Sequence, residues 1–328
     1  MINLIDLQPT RITRDLKGKY IMIYGDPKVG KTTFASKFEK ALLLAFEPGY
    51  NGLDNLMVQP ILKWGDFKTV IRQLGQSEVR EKFSTIIIDT ADIAWSYCEK
   101  YVLAQNPNSM GEIPTSLGDI SWGKGFTLCK KEYDEALRKI ATMGYGLVII
   151  SHSKAKTIKD NNGEEYERIV PTLPDMAKLI VNRLVDVIAY LRADDEGNRF
   201  LYTRGNKNFE AGSRFQYLNP KISLGYNNLV EELCKAIDEE AQHNGNTAAA
   251  SGINAFYDKT NERKFEDVIE EAKSVFEKLV STNKDNAVTM NNIILKVFGK
   301  QIKLSETTQE QQELVETVLN EWKSLLKE

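Results

Sequence analysis

The chain has 328 residues, 42% hydrophobic and 27% charged, with a formal net charge of -3. This is enough chain for one large core or for two domains, and the slightly acidic balance excludes a chain-wide basic footprint for nucleic acid, so any such contact must be local. Cys98, Cys129 and Cys234 are far apart with no CxxC pair, and only two histidines accompany them. That argues against a zinc site or a disulfide framework and for buried, reduced thiols in a cytoplasmic protein.

The opening MINLIDLQPTR lacks the basic start and apolar run of a signal peptide. Apolar runs of about five residues fall far short of the ~20 that a membrane span needs, so no membrane association is expected. Up to about residue 240, short apolar runs alternate with longer amphipathic segments. KYIMIY (19–24), ALLLAF (41–46), TIIID (85–89) and GLVIIS (146–151) are apolar on both faces, which predicts parallel strands covered by helices. VDVIAYL (185–191) and RFLYTR (199–204) predict two more strands, joined through Asp194, Asp195, Glu196, Gly197 and Asn198 as a hairpin. Phe126, Cys129, Tyr133, Leu137 and Ile140 recur at three- and four-residue steps, predicting one buried helix face. The fold class is α/β, with a mostly parallel central sheet ending in an antiparallel pair.

Composition changes near residue 241. AQHNGNTAAASG is small and polar and reads as a flexible linker over 241–262. Over 263–328, Phe265, Val268, Ile269, Ala272, Val275, Phe276 and Leu279 keep helical spacing, as do Leu314, Val318, Leu319 and Trp322. These predict a small C-terminal all-helical domain after a first domain over 1–240.

Residues 24–33, YGDPKVGKTT, match GxxxxGK[ST] between an apolar strand and the helix-compatible run TTFASKFEKAL. In that setting the loop Gly25, Asp26, Pro27, Lys28, Val29, Gly30, Lys31, Thr32 and Thr33 cradles phosphates with its amides and the helix N-terminus. Gly25 and Gly30 permit conformations and close approaches that a side chain blocks. Lys31 reaches the β- and γ-phosphates of ATP and Thr32 offers its hydroxyl to Mg²⁺. Asp89, after three isoleucines, is the candidate carboxylate that orients Mg²⁺; a helix-capping role shared with Thr90 and Asp92 is the alternative. Hydrolysis also needs a group that positions the attacking water. Glu47 and His152 close strands whose C-terminal ends converge on one edge in an open α/β sheet. Each also has a plain alternative, as a solvated loop carboxylate and a hydrogen-bonded structural histidine.

Taken in order, these features resemble the RecA-like P-loop NTPase core: a Walker A loop, a strand with terminal glutamate, a Walker B strand with terminal aspartate, and a strand ending in a polar residue. The resemblance implies that Glu47 is the catalytic base and His152 the γ-phosphate sensor, where glutamine is usual. The loop, the strand ending Ser151-His152 and PTLPDMAKLIVNRLVDVIAYL (171–191) are also similar to phage AAA-family nucleotide-binding proteins, which include RecA-like single-strand annealing recombinases. The likeness covers about residues 15–225. It implies a homo-oligomer, ring or filament, in which a basic residue on the late hairpin reaches the neighbour's γ-phosphate. Arg204 and Lys207 are the candidates, with a solvated basic turn as the alternative.

The same resemblance directs attention to 153–174 as a single-stranded DNA loop. Lys154, Lys156 and Lys159 suit phosphate contacts and Tyr166 suits base stacking. Glu164, Glu165 and Glu167 follow at once, so an ordinary solvated hairpin, lysines on one arm and glutamates on the other, is an equal reading. A second polar, glycine-rich loop, 106–126, is a candidate DNA or subunit contact, with Trp122 read as a packing anchor. The C-terminal helices, with Phe256 and Tyr257 before them, suit a replication or recombination protein partner. Two function classes remain: a DNA-acting ATPase, and a nucleotide-switched loading or assembly factor. A small-molecule kinase is weaker, because neither an acceptor site nor an arginine lid is evident.

Overall fold

A computed structural model describes residues 13–16, 18–108, 110–120, 123–160, 162–248 and 264–326. The chain divides into two units, Thr10–Asp258 and a second that includes Lys259–Glu328. The expected roles of Trp122, Phe256 and Tyr257 lie outside the described residues.

In the larger unit, strands β1 (Tyr20–Gly25), β2 (Ala41–Ala45), β3 (Met57–Pro60), β4 (Thr85–Asp89), β5 (Gly146–Lys159) and β7 (Val187–Ala193) run parallel. Strands β8 (Arg199–Tyr202) and β10 (Lys221–Ser223) extend the sheet antiparallel beyond β7. The order across the sheet is β10-β8-β7-β1-β5-β4-β2-β3. Two short additions complete it: β6 (Glu165–Pro171) pairs with the far half of β5, and β9 (Gly212–Ser213) pairs with the start of β7.

Period-2 alternation sorts the side chains of β1 into two cores. Tyr20, Met22 and Tyr24 join one face with α2 (Trp64–Leu74), α4 (Ala91–Gln105), α5 (Lys124–Ala141) and α6 (Asp175–Leu184). Ile21 and Ile23 join the other with α1 (Lys31–Ala35) and α7 (Tyr226–His243). Burial on both faces is what the continuous apolar runs demanded.

Several expectations are corrected by packing. The helix after the phosphate-loop motif stops at Ala35, after five residues. Lys37 and Phe38 donate only to carbonyls three residues back, Phe34 and Ala35, so the chain tightens into turns instead of continuing as α-helix. On α5, Phe126 is exposed, and Gly125 is buried instead because it sits against the Leu117 carbonyl. The 106–126 loop is anchored through buried Leu117 and Ile120 and a Ser116–Asp119 capping box. Cys98 and Cys129, distant in sequence, are neighbours between α4 and α5, with sulfurs 3.8 Å apart. Helix α7 runs to His243, past the expected start of the linker.

In the second unit, α8 (Phe265–Thr282), α9 (Asn286–Phe298) and α10 (Gln312–Leu325) enclose an apolar core of Val268, Ala272, Leu279, Met290, Val315, Val318, Leu319 and Trp322. Lys323 on α10 pairs with Glu271 on α8 at 2.6 Å. Phe276 and Leu314, expected inside by spacing, stay partly exposed. Among the described residues, no helix is long and apolar enough to cross a membrane.

Candidate nucleotide site

Strand order builds the site. Strand β5 lies between β1, which carries the glycine loop, and β4, which ends in Asp89. The register sets Gly25 level with His152, and Asp89 level with Ile150 on one side and Ala45 on the other. The C-terminal ends of four parallel strands thus deliver Gly25, His152, Asp89 and Glu47 to one edge.

The loop itself is a turn of mixed handedness. Lys28 has φ 63° and Gly30 φ 106°, and Val29 donates to the Asp26 carbonyl at 3.4 Å. Alternation of right- and left-handed residues turns successive amides toward one concavity, an anion cradle. With α1 only five residues long, that cradle depends on the loop amides and Lys31 more than on a helix dipole. Asp26, Pro27, Lys28 and Thr33 are exposed and Val29 is half-buried.

Lys31 is 5% exposed. Its ammonium donates to the Gly25 and Asp26 carbonyls, both at 2.8 Å, and lies 3.4 Å from His152 Nδ1. Burial pushes its pKa below the usual lysine value, against the opposing pull of Asp89, Glu47, Asp26 and Asp92. The His152 tautomer follows from its partners. A lysine ammonium is donor only, so Nδ1 accepts and the ring proton sits on Nε2. That nitrogen faces Glu47 Oε1 at 3.4 Å. Lys31, His152 and Glu47 therefore lie in a row, with the histidine ring between the ammonium and the carboxylate.

Thr32 Oγ1 donates to Asp89 Oδ2 at 2.6 Å. Asp89 is 4% exposed, and burial raises its pKa above the ordinary aspartate value while the Thr32 hydroxyl and Lys31 oppose the rise. Beside it the Thr90 hydroxyl is fully buried without a partner. Among the described residues no set of three or more His, Cys, Asp or Glu could hold a metal unaided. One hydroxyl and one carboxylate, all oxygen, fit Mg²⁺, which keeps waters and borrows phosphate oxygens instead of demanding a protein cage.

The capping alternative for Asp92 is not what the geometry shows. Its carboxylate turns to β5 and the end of β6, accepting from Ser151 Oγ at 3.0 Å, Thr172 Oγ1 at 2.6 Å and the His152 amide at 3.3 Å. Ser153 Oγ donates to the Asp26 carboxylate, tying the strand to the glycine loop. Sequence reasoning passes over Ser153 and Thr172 and takes Asp92 only as a helix cap, because each looks like ordinary punctuation; only the fold brings these polar tips together.

On the late hairpin the two basic candidates make local contacts within the chain. Arg204 donates to the Gln216 carbonyl at 3.2 Å and Lys207 sits 4.7 Å over the Tyr166 ring. Neither makes a hydrogen bond or ion pair to the glycine loop of its own chain among the described residues. Arg199 does approach it: a Cβ on Gly30 would lie 2.8 Å from its Nη1. Strand β8 runs antiparallel, so its first residue, not its last, reaches the site edge. That signal was present in the predicted turn at 194–198.

Beyond the sheet, β5 and β6 form the expected hairpin, with Lys154 opposite Val170, Lys156 opposite Arg168 and Lys159 opposite Glu165. Opposed residues share a face, and faces alternate. Lys154, Lys156, Tyr166 and Arg168 fall on one face. Lys159 falls on the other and pairs with Glu165 at 3.2 Å, which separates it from the set of three that spacing suggested. Lys156 lies 3.4 Å from Asp175.

A phosphate-binding glycine loop on a parallel sheet, faced by an aspartate, a glutamate and a histidine from neighbouring strand ends, defines a P-loop ATPase core. The chain belongs to the AAA domain family, whose profile matches residues 17–215. It is also 27% identical, over 341 aligned positions spanning 100% of this chain and 99% of the relative, to the SPbeta prophage-derived uncharacterized protein YorG of Bacillus subtilis (strain 168). Family membership makes it a nucleotide-binding ATPase.

Proposed function

We propose that this protein is a phage-encoded, Mg²⁺-dependent ATPase with a RecA-like core over 1–240, acting on single-stranded DNA in recombination or replication. The observation that carries the catalytic part is the line Lys31–His152–Glu47 beside the Thr32–Asp89 pair. Bound ATP supplies the phosphoanhydride, and Mg²⁺, held by Thr32 and backed by Asp89, neutralises charge on its phosphates. The chain's own residues do the rest. Lys31 exchanges the loop carbonyls of Gly25 and Asp26 for phosphate oxygens. Glu47 Oε1 orients and deprotonates the attacking water, and His152, proton on Nε2, holds that carboxylate and reads the γ-phosphate. Arg199 adds a cation from the same chain at Gly30. Arg204 and Lys207 reach the neighbouring protomer's nucleotide in a ring or filament, where a basic finger is worth ~10³–10⁵ in rate.

The DNA part rests on the hairpin. Lys154, Lys156 and Arg168 align on one face with Tyr166, a cationic track with a stacking ring. The relative's prophage origin supports the phage setting, and with it a cytoplasmic site of action in the infected host.

One observation favours a second reading, a nucleotide-switched loading or assembly factor. The helical unit, described over 264–326, leaves Val288, Leu295 and Phe276 partly exposed and has a groove of about 330 Å³ lined by Ile269, Phe276, Ile294 and Trp322. ATP turnover of wild type, Lys31→Ala and Glu47→Gln, with and without single-stranded DNA, decides between them. The first reading requires turnover that DNA stimulates and that both substitutions abolish. DNA-independent turnover equal in wild type and Glu47→Gln removes both the base assignment and the DNA role.

A further inference from the structure

The Asp92 carboxylate is the least explained charged group near the nucleotide cup. It stands in the first turn of α4, three residues after Asp89, but gives no cap to the helix: the N-cap Thr90 makes no side-chain cap bond either. Its acceptor capacity is turned toward strand ends instead. Oδ1 takes the hydroxyls of Ser151 and Thr172. Oδ2 takes the backbone amide of His152, the residue whose ring touches both Lys31 and Glu47.

Thr172 follows the return arm of the projecting hairpin. Besides Asp92, it donates its own amide to the His152 carbonyl at 2.9 Å. The main chain of His152 is therefore held on both sides of its Cα, the N–H by Asp92 and the C=O by Thr172, and these two holders are bonded to each other at 2.6 Å. Ser151, itself fully buried, adds a further bond from inside the sheet. With the backbone so held, a shift of the His152 main chain toward or away from a phosphate pulls on the hairpin's return arm through Asp92 and Thr172.

We propose that Asp92 is a positioning residue that fixes His152 in the ATPase site, and that Thr172, through the same carboxylate, couples the site to the hairpin 153–172. The inference rests on the nucleotide reading of the cup. Asp92→Asn removes the charge from these bonds and can serve only one side as before: its NH₂ set toward the His152 amide opposes donor to donor, and set toward Ser151 and Thr172 it forces those hydroxyls onto the His152 carbonyl, their other acceptor.

The test uses the full chain. Asp92→Asn is expected to lower kcat about tenfold or more while nucleotide KM stays within about threefold, the pattern of a group that acts on the transition state and not on binding. Hydrogen exchange of the hairpin amides is then followed with and without Mg²⁺ and a slowly hydrolysed ATP analogue. Wild type slows its hairpin exchange on nucleotide binding. Thr172→Val, matched in volume, keeps nucleotide affinity within about twofold and loses that response, since the hydroxyl bond to the Asp92 carboxylate, remote from the ligand, is removed. Thr172→Ser restores the response. If Asp92→Asn fails to fold, the Thr172 pair decides alone. A Thr172→Val hairpin that responds like wild type, or an Asp92→Asn enzyme with wild-type kcat, overturns the coupling. A wild type that binds no more nucleotide than Lys31→Ala overturns the nucleotide reading itself, and the coupling with it; a wild type that binds nucleotide while its hairpin ignores it overturns the coupling alone.

Discussion

Gly25 and Gly30 bracket the glycine loop for different reasons, and Gly25→Ala separates them. At Gly25 the backbone is ordinary, but an added Cβ would sit 2.3 Å from the Leu191 carbonyl oxygen of β7, where ordinary contact begins near 3.4 Å. The obstacle is main chain in the middle of the sheet, so β1 must give by about 1 Å. Forced overpacking of this kind costs ~1–3 kcal/mol against a total stability of ~5–15 kcal/mol. For a unit of this size, that lowers Tm by roughly 3–10 °C. Gly25 also supplies a carbonyl to Lys31 and stands level with His152, so the displacement falls on the reacting groups. A misplacement of about 1 Å there costs ~10² in turnover.

Gly30→Ala meets only the tip of Arg199, which can swing away, and its penalty is the positive φ, on the order of 1–3 kcal/mol. Adding Arg199→Ala therefore should not rescue Gly30→Ala. Differential scanning calorimetry and steady-state turnover on the three variants provide the check. A Gly25→Ala protein that melts and turns over as wild type would refute the packing argument, as would a full rescue of Gly30→Ala by Arg199→Ala.

Asp89→Asn should raise the Tm of the nucleotide-free protein at neutral pH. The folded pKa lies above 3.8, so stability contributed by this group falls as pH rises from 3.8 through the folded value, and the gain from asparagine must vanish at pH below about 4; a gain that persists in acid contradicts it. Arg199→Ala should weaken Mg-ATP binding about tenfold by calorimetry, as expected for one charge-assisted contact, with an unchanged affinity counting against its place at the cup. Reversal of Lys154 and Lys156 to Glu should flatten the salt dependence of single-stranded DNA binding by about 0.7 in log–log slope per lysine, measured by oligonucleotide anisotropy. Lys159→Glu, on the opposite face, should leave that slope alone; an equal effect would place the DNA elsewhere.

Much of this site was legible because its signals are local. An apolar run, a glycine spacing and a terminal carboxylate are each contained in about ten residues, and strand ends in a parallel sheet converge by topology. Asp89, Glu47 and His152 were readable on those grounds. Asp92, Thr172 and Arg199 were not, because their placement depends on which strands are neighbours. Tertiary packing also overrode periodicity. Phe126 and Phe276 have core spacing but stay partly exposed, while Gly125, invisible to a hydrophobic pattern, is the residue α5 needs against Leu117. The approach of Cys98 to Cys129 depends on how α4 meets α5, which no spacing encodes. Strand β3, at the sheet edge, escaped notice because Met57-Val58-Gln59-Pro60 is mostly exposed and carries a proline, both permitted only at an edge.

Strand β5 does not stop at the edge of the sheet. Gly146 to Lys159 is one unbroken strand, its first half clamped between β1 and β4 and its second half paired only with β6. Seven residues past His152 amount to an arm of about 23 Å. A tilt of about 5° at its root would carry the free end through about 2 Å, a swing comparable to the difference between gripping a phosphate and releasing it. A rearrangement too small to reorganise the interior can thus be enlarged by simple leverage along an arm that projects beyond the sheet.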